Sequence, residues 1–300
     1  MDHFADRLTA AIREKDAPVC VGLDPLIERL PGAVREAHRD EPWTAILVYG
    51  REVIRAVAPF AAAIKINIAF FERYRAEGIR VYHQLVGEAR EGGLLVIGDV
   101  KRADIGHSST QYAVAHLGGA GAVMPDAVTV NPYFGYDAIG PFVDAARNTG
   151  RGLFVLVQTS NESASQVQGL MLADGSTVCQ SVAQLVQSWA GAAGLVGTCG
   201  YSCVGAVVSP RDLESTERIR ALMPNCLFLV PGFGAQGRTA NEVAKCFKSD
   251  GTGAIVTASR SVIYAYEDAK YRATAQNWRQ CVAEACQEFV AAVREVLATP

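Results

Sequence analysis

The sequence predicts a single-domain (β/α)8 TIM barrel, and three observations carry that prediction. Eight short apolar runs, at 18–24, 62–67, 94–100, 127–131, 152–159, 204–209, 226–231 and 253–258, end in turn-forming or polar residues. Segments of helical spacing separate them, as at 43–59, 70–91, 108–120, 137–149, 178–196, 211–222 and 238–248, and strict alternation of strand and helix implies a parallel sheet. Charged side chains stand where the apolar runs stop, which is where a barrel enzyme collects its active site. An open doubly wound sheet shares the alternation. The count of eight and the placement of the polar residues favour the barrel.

In chain order, Met1 to Lys15 sets Phe4, Leu8 and Ile12 at helical intervals among Asp2, Asp6, Arg7, Arg13 and Glu14, without the continuous apolar core of a signal peptide. The first strand ends in Asp24, the second in Lys65 and Asn67, and the third in Asp99 and Lys101. The fifth ends in Thr159, Ser160 and Asn161, the seventh in Pro231-Gly232-Phe233-Gly234, and the eighth in Ser259 and Arg260. The long connections 25–42 and 161–177 both follow strands, where barrel enzymes place substrate loops. The closing stretch 274–298 repeats apolar residues at Trp278, Val282, Ala285, Phe289, Val293 and Leu297, a helical stripe. No linker, internal repeat or low-complexity segment interrupts the chain, so one catalytic domain over residues 1–300 is expected.

Composition narrows the function. Of 300 residues half are apolar and 20% are charged, with a net charge of -3, which leaves no basic footprint for nucleic acid or an acidic membrane. A small-molecule partner is expected. No stretch is long and apolar enough to span a bilayer. The eight cysteines are scattered through apolar runs without Cys-x-x-Cys pairs or zinc spacing, so they read as buried free thiols in a reducing cytoplasm. The five histidines show no metal-ligand spacing, and only His107 falls near the expected barrel mouth. No metal is expected.

Asp99 and Lys101 have strand spacing, so their side chains share one side of the third strand. With Lys65 from the adjacent strand they form an alternating array of acid and amine. A buried ion-pair network is the plain account of any one such pair. Three or four converging charges are another matter, because each desolvated ion costs several kcal/mol that stability alone rarely justifies. Asp104, three residues beyond Lys101, taken alone reads equally as a helix N-cap or a loop carboxylate. Gly232, Gly234 and Gly237 match the dinucleotide fingerprint G-x-G-x-x-G, but they follow the seventh strand rather than the first, with no acidic strand end at the right distance. A glycine-rich seventh turn followed by Ser259-Arg260 instead fits the phosphate site that barrels build from their last two loops. Tight turns and a surface arginine are the alternative.

Seven fragments in order resemble the orotidine 5′-phosphate decarboxylase family, in its longer bacterial branch. They are Val21-Gly22-Leu23-Asp24-Pro25; Ile64-Lys65-Ile66-Asn67 with Ala69-Phe70-Phe71-Glu72; Asp99-Val100-Lys101-Arg102-Ala103-Asp104-Ile105-Gly106; Thr129-Val130-Asn131-Pro132-Tyr133; Thr159-Ser160-Asn161; Val230 to Gly237; and Ala258-Ser259-Arg260. The resemblance implies decarboxylation of orotidine 5′-monophosphate to uridine 5′-monophosphate, the last step of de novo pyrimidine nucleotide synthesis, with no cofactor. It implies that Lys101 donates a proton to the ring carbon, that Asp99 sits beside the departing carboxylate, and that Lys65 and Asp104 complete the charge array. Asp104 then comes from a neighbouring subunit, so a homodimer is expected. Asp24 would hold ribose hydroxyls, Ser160 would read the pyrimidine amide, and Gln236 and Arg260 would bind phosphate. Ser108 stands where the family often has threonine, and it keeps the hydroxyl. The rival functions are a Mg2+-dependent sugar-phosphate decarboxylase or aldolase, which is expected to carry an acid at the end of the second strand; a Schiff-base aldolase using Lys65 or Lys101; and a non-catalytic nucleotide-binding barrel.

Overall fold

The structure, a computed structural model, describes residues 3–118, 123–232, 240–272 and 277–298. Strands β1 (Val19–Leu23), β2 (Ala63–Asn67), β3 (Leu95–Arg102), β4 (Ala127–Val130), β5 (Gly152–Gln158), β6 (Val204–Val208), β7 (Phe228–Pro231) and β8 (Ala254–Ala258) close into one parallel barrel in sequence order. β8 returns to β1 through Val19 opposite Val256. Seven of the eight expected runs hold one of these strands whole, and the third, 94–100, stops two residues short of the end of β3 at Arg102. The reason they read as unbroken apolar runs is burial on both sides: every residue of β1, β4, β6 and β8 is buried, inward against the barrel core and outward against helices.

The helices that shape the mouth and its supports are α1 (Phe4–Lys15), α2 (Pro42–Val57), α3 (Arg75–Glu91), α4 (Gly106–Leu117), α5 (Tyr136–Thr149), α6 (Val178–Ala190), α7 (Leu213–Leu222), α8 (Ala240–Ala244) and α9 (Trp278–Ala298). α1 closes the end of the barrel opposite the mouth. Its Phe4 ring meets Phe154 edge-on at 5.9 Å, and Arg7 donates to the buried Asp126 just before β4 at 2.5 Å. α9 buries Val282, Ala285, Phe289 and Val293, four of the six positions its periodicity singles out, with Trp278 and Leu297 partly buried at the ends. Among the described residues no helix is long and apolar enough to cross a membrane. All eight cysteines are free, and all but Cys199 are buried.

Two local departures from the periodic pattern occur. The segment 70–91 is not one helix: a turn at Ala69–Glu72 follows β2, and α3 starts anew at Arg75, which takes a left-handed φ of 55°. The fold-back lays the Phe71 carbonyl on Gly78, where an added Cβ would lie 1.9 Å from that oxygen. Gly78→Ala should therefore destabilise the protein by about 3 kcal/mol, the upper part of the usual range for overpacking. Urea unfolding measures it, and an unchanged midpoint would show that the turn after β2 gives way freely. The second departure lies in β3. Gly98 pairs with Val128 and Arg102 with Val130, so β3 carries a bulge of extra residues against β4.

Candidate active site

A cavity of about 280 Å3 opens at the C-terminal ends of the strands. Its walls differ in chemistry. Asp24 after β1, Lys65 and Asn67 on β2, Asp99 and Lys101 on β3, and Thr129 on β4 make one wall polar. Leu156 of β5, Val207 of β6 and Leu229 of β7 make the facing wall aliphatic. Thr159, Ser160, Ser259 and Arg260 also line it. Such a space suits a small ligand with an apolar face and charge at one edge.

On the charged wall, Lys65 Nζ stands 2.8 Å from Asp99 Oδ2 and 3.8 Å from Asp24 Oδ1, while Lys101 Nζ stands 2.5 Å from Asp99 Oδ1. Lys65 and Asp99 are only 9% and 6% exposed, so their charges act in a medium that screens them poorly. Burial resists ionisation of Asp99, yet Lys65 and Lys101 outweigh it and hold the carboxyl well below the usual carboxylate range. For Lys65 burial again opposes the charge, and Asp24 and Asp99 together overcome it, so its ammonium is held above the ordinary lysine value. The buried Asp24 Oδ1 makes no hydrogen bond and has the Lys65 ammonium 3.8 Å away as its ion-pair partner.

The route by which Lys101 reaches Asp99 is not simple strand alternation. Lys101 lies in the bulge with a φ of 46°, a left-handed conformation that costs a non-glycine residue of order 1–3 kcal/mol. Its side chain is half exposed and arches back to the carboxylate. The Thr129 hydroxyl donates to Asp99 Oδ1 at 2.8 Å and accepts the Lys101 backbone N–H at 3.0 Å. Behind Asp24, the Tyr264 hydroxyl donates to the Asp24 carbonyl at 2.9 Å and accepts the Leu26 N–H at 2.7 Å, which fixes the start of the loop after β1. Neither Thr129 nor Tyr264 carries a charge that would mark it in the sequence. Thr129 stood in the sequence only as the first letter of Thr129-Val130-Asn131-Pro132-Tyr133.

The chain brings Asp24, Lys65, Asp99, Lys101, Ser160 and Arg260 to one cavity. Asp104 and Ser108 do not line it. The Asp104 carboxylate accepts the Ile105 N–H at 2.8 Å just before α4, and Ser108 is exposed on that helix. His107 is exposed beside them. Gln236 lies outside the described residues. The glycine-rich run follows the seventh strand of a closed barrel, which removes the dinucleotide alternative for it. Among the described residues no cluster of three or more His, Cys, Asp or Glu side chains could hold a metal ion.

Fold and mouth together define a (β/α)8-barrel enzyme whose charged wall faces an aliphatic one. Residues 17–275 match the Orotidine 5′-phosphate decarboxylase / HUMPS family, and the chain belongs to that family. Orotidine 5′-phosphate decarboxylase of Rhodopirellula baltica is 38% identical over 292 residues, 94% of this chain and 96% of that one. The enzyme of the same name from Caldicellulosiruptor bescii is 38% identical over 89% of this chain and 92% of its own. The structure of Leishmania donovani OMP decarboxylase superposes with a TM-score of 0.78 at 25% identity, covering 99% of this chain and all of that one.

Proposed function

We propose that this protein decarboxylates orotidine 5′-monophosphate to uridine 5′-monophosphate and carbon dioxide without a cofactor. The observation that carries the proposal is the Lys65–Asp99–Lys101 array set against an aliphatic wall. When the bond from C6 to the carboxylate breaks, its electron pair stays in the ring plane, out of reach of the π system. Positive charge beside C6 must therefore do what delocalisation cannot. A fixed Lys101 ammonium stabilises the developing carbanion and then delivers one proton to C6, leaving a neutral amine that water reprotonates. Asp99 stands beside the departing carboxylate, and Lys65 keeps Asp99 ionised. Asp24 holds the ribose hydroxyls, Ser160 the pyrimidine amide, and Arg260 the phosphate dianion, with Gln236 joining it.

Lys65 also speaks against two rivals. A Mg2+-dependent sugar-phosphate enzyme is expected to place an acid at the end of β2, where Lys65 stands. An amine held protonated by two carboxylates is a poor Schiff-base nucleophile, which speaks against Lys65 as the one a Schiff-base aldolase would use, and borohydride trapping with substrate tests Lys101 in that role. The curated relatives named above add to the same conclusion.

The functional unit we propose is a homodimer in which Asp104 and Ser108 reach the other subunit's cavity. Ile105, Val114, Tyr133 and Phe134 supply exposed apolar area for such a contact, with Tyr133 80% exposed. Free, mostly buried thiols suit a cytoplasmic enzyme. The test is conversion of orotidine 5′-monophosphate in EDTA, followed by pyrimidine absorbance. Turnover without added metal is expected, and no turnover, or turnover only with Mg2+, overturns the proposal. The same assay run through a dilution series tests the dimer: specific activity should fall as subunits separate, and a fully active monomer overturns that part.

A further inference from the structure

We infer that Thr129 is a positioning residue that sets the Asp99 carboxylate and the Lys101 backbone in one geometry through a single hydroxyl; the functional consequence rests on the decarboxylase proposal. Thr129 is 1% exposed on β4, the strand against which β3 bulges. Its one hydroxyl proton goes to Asp99 Oδ1, which as an ionised carboxylate oxygen can only accept. One of the oxygen's two lone pairs accepts the Lys101 N–H, a group the bulge has removed from the regular β3–β4 ladder. Asp99 Oδ1 also takes the Lys101 ammonium at 2.5 Å. Hydroxyl, carboxylate and lysine thus form a closed ring of contacts running from the Lys101 backbone N–H through Thr129 and Asp99 to the Lys101 side chain.

Left-handed backbone at a non-glycine residue persists only where its surroundings over-determine it. Here the surroundings include this ring. Threonine suits the task because branching at Cβ restricts χ1 on a strand, so the hydroxyl has few other directions to take. Valine matches its shape and offers neither donor nor acceptor, leaving a Lys101 N–H without a partner and Asp99 free to turn.

The experiment compares wild type, Thr129→Val and Thr129→Ser in the full-length chain. Steady-state kinetics with orotidine 5′-monophosphate, product affinity, melting temperature and a crystal structure of the valine variant are read together. Misplacing catalytic groups by about an ångström should lower kcat roughly 100-fold in the valine variant, with KM and product affinity within about threefold of wild type. The serine variant, which keeps the hydroxyl, should recover most of that loss. A folded valine variant at wild-type kcat overturns the inference, as does a well-folded serine variant no better than valine. The crystal structure decides the geometry independently of turnover. Asp99 rotated or Lys101 relaxed out of the left-handed region supports the inference, and an unchanged Asp99–Lys101 arrangement defeats it. Wild-type protein that does not turn over orotidine 5′-monophosphate would overturn the proposed function and leave that structural comparison to decide the role of Thr129.

Discussion

Lys101→Ala should lower kcat for orotidine 5′-monophosphate by about ten-thousand-fold or more, while leaving the protein folded. Two effects are lost together. General acid catalysis alone contributes about a hundred- to ten-thousand-fold, and a preorganised charge at the site of developing negative charge contributes about a hundred- to a thousand-fold more. Because Lys101 performs both with one ammonium, the losses cannot be recovered by a neighbour. Lys65 is engaged by Asp24 and Asp99 on the buried side. Stability should change little, since the Lys101 side chain is half exposed and Asp99 keeps Lys65 and Thr129 as partners. KM should change less than kcat, because the phosphate and ribose contacts proposed for Arg260 and Asp24 remain. Absorbance assays at saturating substrate, with circular dichroism to check folding, measure the effect. Turnover near wild type in a folded variant would remove Lys101 from the role of proton donor.

The barrel was legible because its strands are largely buried, so they show as apolar runs, and the first three meet Asp24, Lys65 and Asp99 where burial gives way to chemistry. Charges at strand ends were legible for the same reason. Geometry that depends on a contact between distant residues was not. Nothing in the helical spacing of 70–91 announces that the Phe71 carbonyl needs the bare Cα of Gly78. Lysine carries no local preference for a positive φ, so the bulge at Lys101 has no signal in its own residue type. Thr129 and Tyr264 act through neutral hydroxyls, which look like ordinary strand and helix residues until their partners are known. Asp104 shows the opposite limit. Its motif is plain in the sequence, yet within one chain its carboxylate turns to its own loop, which is why a second subunit enters the proposal.

Lys65→Met should cost both stability and activity, and its pH dependence should separate the two. Lys65 is buried between Asp24 and Asp99, so removing its charge strands two carboxylates at once. Breaking a buried ion pair from one side costs about 3–5 kcal/mol, which urea unfolding at neutral pH should show. In the wild type the Asp99 pKa lies below its unfolded value, so its contribution to stability is present above about pH 4 and is lost as pH falls through the folded value. Lys65 behaves in the opposite sense. Its raised pKa contributes stability fully present below about pH 10, lost only as pH rises through the folded value. Asp99 and Lys65 therefore stay charged near neutral pH, and neither group should put a break in kcat/KM between about pH 5 and 9. Without Lys65, burial of Asp99 is opposed only by Lys101 and the Thr129 hydroxyl, so the carboxyl titrates at higher pH than in the wild type. Stability and kcat/KM should then both begin to fall on the acid side at a pH where the wild type is unaffected. Turnover at neutral pH should drop by about a hundred- to a thousand-fold from the weakened field at C6. An acid limb that coincides with the wild type, or a stability change under about 1 kcal/mol, would mean that Lys65 is not what keeps Asp99 ionised.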